Sequence, residues 1–357
     1  MYNFFLKYRR FLYPFSFLYA IIVVVRNWLF DVGILKSESF KTPTISIGNI
    51  AVGGTGKTPH VEYLIELLSP TMKIAVLSRG YKRKTKGFIL LDDTSTAEQV
   101  GDEPKQMKEN YPAITIVVDE DRRHGIRQLE STIRPDIILL DDAFQHRYVK
   151  PNINILLTDY AHPFWEDSYL PAGNLRDSKS QIYRAEIIIV SKSPKNLTPI
   201  IQRTVYKNLK LFPYQRFYFT RYEYKGLKSL GKEINIENKK DYTVLLFSGI
   251  ARNDYLYNYL KQEYKHVETI SFPDHHLFTN IDIEKIIQKF DSIYNDKKII
   301  VTTQKDAVKL KDNINFVALF EKPIFYQKIK TVFFNEPDKE DFKKLILKHV
   351  ERSSIIY

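Results

Sequence analysis

The stretch Ile45-Ser-Ile-Gly-Asn-Ile-Ala-Val-Gly-Gly-Thr-Gly-Lys-Thr-Pro59 decides the fold class. An apolar run passes into a glycine-rich turn and then into a helix-forming segment, the context that a Walker A phosphate-binding loop requires. Gly53, Gly54 and Gly56 let the backbone curl so that successive N–H groups face one point. The helix that follows adds its partly positive amino end. Val52, Gly53, Gly54, Thr55, Gly56, Lys57 and Thr58 are therefore the candidate ATP-binding residues, with Lys57 reaching the β- and γ-phosphates and the Thr58 hydroxyl a ligand for Mg²⁺. Ala51 stands where the pattern has its first glycine, an exchange that leaves the three glycines nearest the phosphates in place. A glycine-rich turn without a ligand is the competing reading.

Outward from this loop, short runs of Ile, Val and Leu recur at 44–48, 73–78, 114–118, 136–140, 153–158 and 186–191. They show little alternation, as strands buried on both faces do. Segments with helical spacing, such as 59–68 and 121–133, lie between them. That series implies an α/β fold with a P-loop-type parallel sheet covered by helices on both faces. The texture changes near residue 211. Residues 212–224 read FPYQRFYFTRYEY, and polar punctuation follows at 226–238, together suggesting a two-stranded β-ribbon. Buried-type strands return at 243–248, 267–271 and 298–303, with helical patterns at 254–263 and 282–294. The expected division is an amino-terminal segment 1–40, a P-loop core 41–211, a ribbon linker 212–241 and a smaller α/β unit 242–357.

Two acids close the apolar run at 137–140, Asp141 and Asp142. A buried strand that delivers a carboxylate beside a P-loop is the Walker B arrangement, and such an acid serves Mg²⁺. Other acids stand at Gly101-Asp102-Glu103-Pro104 and at Asp274-His275-His276, where Asp274 precedes two imidazoles. A hydroxyl nucleophile needs a base, and an Asp next to a His suggests an imidazole oriented by a carboxylate. The local sequence of DHH equally suits a helix cap.

The amino-terminal run FLYPFSFLYAIIVVV, residues 11–25, carries no charge and is flanked by Lys7, Arg9, Arg10 and Arg26. It is short for a span unless 27–30 are included past Arg26, and Pro14 places any helix start close to it. Basic flanks, Trp28 and many aromatics suggest a helix lying in an anionic headgroup layer, with a helix buried against the protein as the alternative. The 357 residues carry 54 Lys and Arg against 42 Asp and Glu, a net charge of +12, and no cysteine. The last point excludes disulfide scaffolds, cysteine-held metals and cysteine nucleophiles. A basic chain with 14% aromatics suits nucleic acid, anionic lipid or a phosphorylated substrate, and composition does not choose among them.

Together the motifs SIGNIAVGGTGKTP, SRGYKRK (78–84), GDEP (101–104), LLDDAFQHR (139–147), LPAGNLRD (170–177), FSGIARN (247–253), FPDHH (272–276) and TTQKDAVK (302–309) resemble those of the tetraacyldisaccharide 4′-kinases of lipid A biosynthesis, over residues 10 to 320. The resemblance implies transfer of the γ-phosphate of ATP, with Mg²⁺, to the 4′-hydroxyl of an acylated glucosamine disaccharide 1-phosphate lipid, giving the 1,4′-bisphosphate. It also implies two α/β units joined by a β-ribbon, at the cytoplasmic face of the Gram-negative inner membrane. By motif it implies Asp141 and Asp142 as metal acids and Asp102 with His275 as the catalytic pair, Asp102 taking the proton and His275 orienting it. The sequence itself does not separate the two roles. Because the pair stands on different units, the units are expected to close over ATP and lipid. Arg79, Arg147 and Arg176 lie in matching motifs and are candidates for substrate or nucleotide phosphate, since guanidinium forks suit phosphate oxygens. Gln145 and His146 are candidate supports of the metal acids, His276 a structural neighbour, and Lys305 and Asp306 nucleotide-base or interdomain contacts. Ala143 departs from the family's usual Gly after the acids.

The nearest rival is a membrane-associated P-loop ATPase that phosphorylates no lipid. Val52 argues against its partitioning-type members, which carry a second lysine before the glycines. No N/T-K-x-D guanine motif and no nucleic-acid module is recognisable, so GTPases and nucleic-acid partners are not expected.

Overall fold

The computed structural model describes residues 9–312 and 316–355, with side chains from residue 11 to residue 351. Lys7 lies outside the described residues, and the side chains of Arg9 and Arg10 are outside them too. The helices are α1 (Tyr13–Asp31), α2 (Lys57–Leu68), α3 (Asp102–Asn110), α4 (Arg122–Thr132), α5 (Pro199–Leu209), α6 (Asp254–Glu263), α7 (Asn280–Asp291), α8 (Gln304–Lys311) and α9 (Glu336–Ile355), besides shorter turns. The strands are β1 (Thr44–Asn49), β2 (Ile74–Ser78), β3 (Ile89–Leu90), β4 (Thr115–Val118), β5 (Ile137–Asp141), β6 (Ile153–Asp159), β7 (Ile187–Ser191), β8 (Arg216–Ser229), β9 (Thr243–Ser248), β10 (His266–Ser271), β11 (Lys298–Thr303) and β12 (Ile324–Phe333). Among the described residues they form a 12-stranded sheet in the order β10-β9-β11-β12-β8-β7-β6-β1-β5-β2-β4-β3.

Strands β4, β2, β5, β1, β6 and β7 run parallel, as their unbroken apolar character predicts, and β1 and β5 are buried along their whole length. The loop of residues 50–56 therefore leaves the carboxyl end of a central strand, where ligands of open α/β sheets bind. In the second half β12, β11, β9 and β10 are again parallel to one another.

The halves meet at β8, which pairs parallel with β7 at its start and antiparallel with β12 along the rest. A two-stranded ribbon thus joins the halves as expected, but its second strand does not lie within 212–241. Arg216–Ser229 is one 14-residue strand, and its partner comes from Ile324–Phe333, far along the chain. Gly226, read as punctuation, is an ordinary strand residue with open space where a side chain would stand. The carboxyl-terminal segment differs as well. Phe333, Phe342, Ile346 and Val350 are buried with Val61, Leu64 and Ile65 of α2, so the chain's last helix packs on the first core and not on the 242–357 unit. Tyr218 ties it down through a 2.7 Å hydrogen bond to Asp341.

Candidate active site

Glycine sets the shape of the loop after β1. Gly53 and Gly56 take φ of 107° and 86°, a region that L side chains avoid, and Gly56 hands the chain directly to α2. Lys57 begins that helix, and its Nζ lies 3.7 Å from Asp142 Oδ2 at the end of the neighbouring β5. Asp142 itself adopts φ 48°, which turns it out of the strand line. Burial works against its charge, but Lys57 and Arg176 outweigh burial and hold its carboxyl well below the usual range. Arg176 also holds Asn49 at the base of the loop, so this guanidinium is engaged in the site's own frame.

Asp141 is the contrasting acid. It is fully buried, receives 3.0 Å from the Ser78 hydroxyl on Oδ2, and has no hydrogen-bond partner on Oδ1. Burial, with Glu103 and Asp142 nearby, pushes it up to about 7. An orphaned buried carboxylate oxygen in this place fits a cation. Among the described residues no three His, Cys, Asp or Glu converge on one point. That donor set suits Mg²⁺, which uses one or two carboxylates and completes its shell with water and phosphate oxygens. Asp142 was expected to share this duty, yet both of its oxygens are bonded to Arg176.

The second cluster spans the two halves. Asp102 opens α3, and His275 follows β10 at φ 59°, with His275 Nδ1 2.9 Å from Asp102 Oδ2. Asp102 Oδ1 accepts the Glu103 amide at 3.0 Å. Lys305, at the start of α8, lies 3.2 Å from His275 Nε2, 2.9 Å from Glu103 Oε1 and 3.7 Å from Asp102 Oδ2. Burial opposes the charge of Asp102, but the bond from His275 and the Lys305 charge keep it below the ordinary range. His276 instead bonds Asp282 at 2.9 Å and stacks on Phe272, a structural neighbour as expected. Asp306 receives the Gly249 amide at 2.9 Å and the Thr303 hydroxyl at 2.8 Å, and so ties the start of α8 to the segment after β9.

The three arginines separate. Arg79 is exposed at the end of β2, and Arg176 is clamped to Asp142. Arg147 is buried away from any phosphate role, donating 3.0 Å to the Asn27 carbonyl and 2.6 Å to Asp31 of α1. It serves one of several polar fastenings under that helix. Ser16 accepts the Ala172 amide at 2.9 Å, Arg26 donates 2.9 Å to the Gln145 carbonyl, and Asn27 donates 2.7 Å to Asp177. Gln145 in turn bonds the Asn49 carbonyl, while His146 is pushed down to about 4 by burial and the Arg122 charge. Arg122 is the residue that sequence reasoning passed over. It is buried beside Asp141 and Asp142 and donates 3.4 Å to the Asp141 carbonyl. Its position just past the carboxyl end of β4, the same edge that carries the loop, was the available signal.

A family model described as tetraacyldisaccharide-1-P 4′-kinase matches residues 8–351. The chain belongs to this family. A tetraacyldisaccharide 4′-kinase of Phocaeicola vulgatus is 46% identical over 98% of this chain and 97% of its own length. One from Flavobacterium johnsoniae is 44% identical over 97% and 98%. The crystal structure of the family's kinase from Aquifex aeolicus in complex with ATP is similar at a TM-score of 0.71 and 31% identity, over 96% of this chain and 99% of that one.

Asp141 yields a prediction about pH. An acid raised from 3.8 to about 7 binds a proton on folding, so it weakens the fold progressively as pH climbs through that interval. In chelator-containing buffer Asp141→Asn is expected to melt above wild type at pH 8 and level with it near pH 4. Equal melting at both pH values would contradict the orphaned carboxylate.

Proposed function

We propose that the chain transfers the γ-phosphoryl group of ATP to the 4′-hydroxyl of a tetraacyldisaccharide 1-phosphate, as a kinase of lipid A biosynthesis. The observation that carries this reading is the Asp102–His275 pair, joined at 2.9 Å from opposite halves of the sheet while Glu103, next in sequence, influences Asp141. A proton-accepting pair and a phosphate loop with its acids thus stand side by side, which is what alcohol phosphorylation needs beyond positioning.

In this mechanism Val52 to Thr58 cradle the phosphates, and Lys57 balances their charge. Mg²⁺ held by Asp141 and the Thr58 hydroxyl would neutralise charge on the transferring group. Asp142 orients Lys57 and Arg176. Arg79 and Arg122 supply cationic charge at the same strand ends. The geometry supports His275 Nε2 as the proton acceptor, the reverse of the roles that the resemblance implied. Both Asp102 oxygens are already engaged and the carboxylate is held below its usual range, so it is a poor base. It is well placed to accept Nδ1–H and fix the tautomer, leaving the Nε2 lone pair outward. Lys305 holds that lone pair at 3.2 Å, and the acceptor hydroxyl takes its place when lipid binds. Contact between the halves also excludes water, the competing acceptor.

Helix α1 supports a site on the cytoplasmic face of the bacterial inner membrane. Ser16, Arg26 and Asn27 are bonded to the protein, and the outward face is largely apolar, with Phe15, Phe17, Leu18, Ile22 and Trp28 more than half exposed. Arg26 does not interrupt that face because it is drawn to Gln145. A helix of 19 residues with a mean hydropathy of 1.4 is long enough to cross a bilayer, but the fastening along one side favours a helix embedded in one leaflet. The fastening joins α1 to the loops of Gln145 and Asp177, next to Asn49 and Asp142, and so sets lipid and γ-phosphate in register.

In detergent micelles with Mg²⁺, labelled γ-phosphate is expected to reach tetraacyldisaccharide 1-phosphate with wild-type protein. Lys57→Ala should abolish labelling, and Asp102→Ala should slow it about 10²- to 10⁴-fold, as loss of a general-base unit does. ATP hydrolysis without labelled lipid would refute the reaction. Replacing Phe17 and Ile22 by Ser is expected to weaken binding to anionic vesicles at an unchanged melting temperature. Undiminished vesicle binding would refute the assignment of this face to lipid.

A further inference from the structure

His60 is a buried imidazole on α2 that takes no part in the chemistry above, yet both of its nitrogens are engaged. Nδ1 lies 2.7 Å from the Gly56 carbonyl oxygen, and Nε2 lies 2.9 Å from Thr220 Oγ1. A carbonyl only accepts, so Nδ1 carries the hydrogen and the Thr220 hydroxyl donates to Nε2. Burial pushes the ring down to about 4, which keeps it in this neutral tautomer. The adjacent carbonyl, that of Thr55, accepts 2.7 Å from the Ser191 hydroxyl on β7.

These contacts govern which way the loop's amides face. In a trans peptide the carbonyl and the next N–H point in opposite directions. Holding the Thr55 and Gly56 carbonyls against the body of the protein, the latter also through the His60 amide at 3.3 Å, turns the Gly56 and Lys57 amides to the opposite side, where this loop would meet phosphates. Thr220 and Tyr222 share one face of β8. The Tyr222 hydroxyl would come within 2.5 Å of any side chain placed on Gly56. Tyr224 continues the same face and stacks on Tyr259 of α6, with centroids 4.0 Å apart and planes at 10°. One face of the strand that joins the halves thus runs from the phosphate loop into the second half.

We propose that His60 is a positioning residue for the phosphate loop, fixing the Gly56–Lys57 peptide for ATP by tethering it to Thr220 on the joining strand. The proposal rests on reading this loop as the ATP site. Its test measures Mg²⁺-ATP binding by titration calorimetry, and separately the KM for ATP, the KM for lipid and kcat. The proteins are wild type, His60→Phe, Thr220→Val, Thr220→Ser and the His60→Phe/Thr220→Val double variant, each with its melting temperature.

His60→Phe, which keeps a ring but loses both nitrogens, is expected to weaken ATP binding and raise the KM for ATP about 3- to 10-fold, the scale of a lost buried hydrogen bond. The KM for lipid and kcat should stay unchanged, the signature of lost ground-state binding. Thr220→Val should shift ATP binding in the same direction, Thr220→Ser should restore it, and the double variant should be no weaker than His60→Phe alone. Unchanged ATP affinity in folded His60→Phe would overturn the proposal, as would an equal rise in both KM values. If His60→Phe does not fold, equal ATP affinity in Thr220→Val and Thr220→Ser overturns it. Wild-type protein that binds ATP without labelling lipid would refute the proposed reaction and leave this assignment to the binding data.

Discussion

A 2.9 Å contact between Asp102 and His275 sets the terms for the rest of the molecule. The two residues are far apart in sequence and stand on opposite halves, so the contact exists only if the carboxyl ends of both sets of strands face one cleft. The antiparallel pairing of β8 with β12 reverses strand direction between the halves and brings those ends together. The α3–α8 interface then closes the other side. Lys305 meets Glu103 at 2.9 Å, Gln304 meets Asn110 at 2.6 Å and Lys311 meets Glu109 at 2.8 Å. The outer pair is exposed and adds little. Lys305 is half-buried, and the loss of solvent around its ammonium is offset while Glu103 and Asp102 stay beside it, which makes it a marker of contact between the halves more than a source of stability.

The helix at the amino end obeys a second constraint with the opposite polarity from most surface helices. Ser16, Arg26 and Asn27 are bonded to the protein beside the buried Val23 and Phe30, so hydrogen bonds help hold the helix in place while most of its apolar side chains face out. Those bonds land on the same loops that carry Gln145, Asp142 and Arg176. The seating of this helix and the geometry of the loop after β1 therefore share one set of contacts.

Much of this was legible in the sequence, and the reasons are physical. Strands buried on both faces announce themselves as unbroken Ile and Val runs, and β9 and β11 fall on the residues expected. The phosphate loop was legible because glycine, lysine and threonine are demanded there by backbone geometry and charge. The partner of β8 was not, because β12 is half-buried and alternates weakly, and no local signal tells a strand which distant strand it will meet. Arg147 was misread for a related reason: a motif gives a residue's neighbours in sequence, while its partners Asn27 and Asp31 lie on a helix more than a hundred residues earlier. Nothing in the sequence around His60 marks it, because its partner Thr220 stands 160 residues further along the chain.

The central claim, that Asp102 and His275 act as one unit assembled across the two halves, is tested most directly by a double-mutant cycle on kcat with saturating ATP and lipid. The account predicts that Asp102→Asn with His275→Ala is no slower than His275→Ala alone, because the carboxylate works only through the imidazole. Losses that multiply in the double variant would show two independent groups and contradict it.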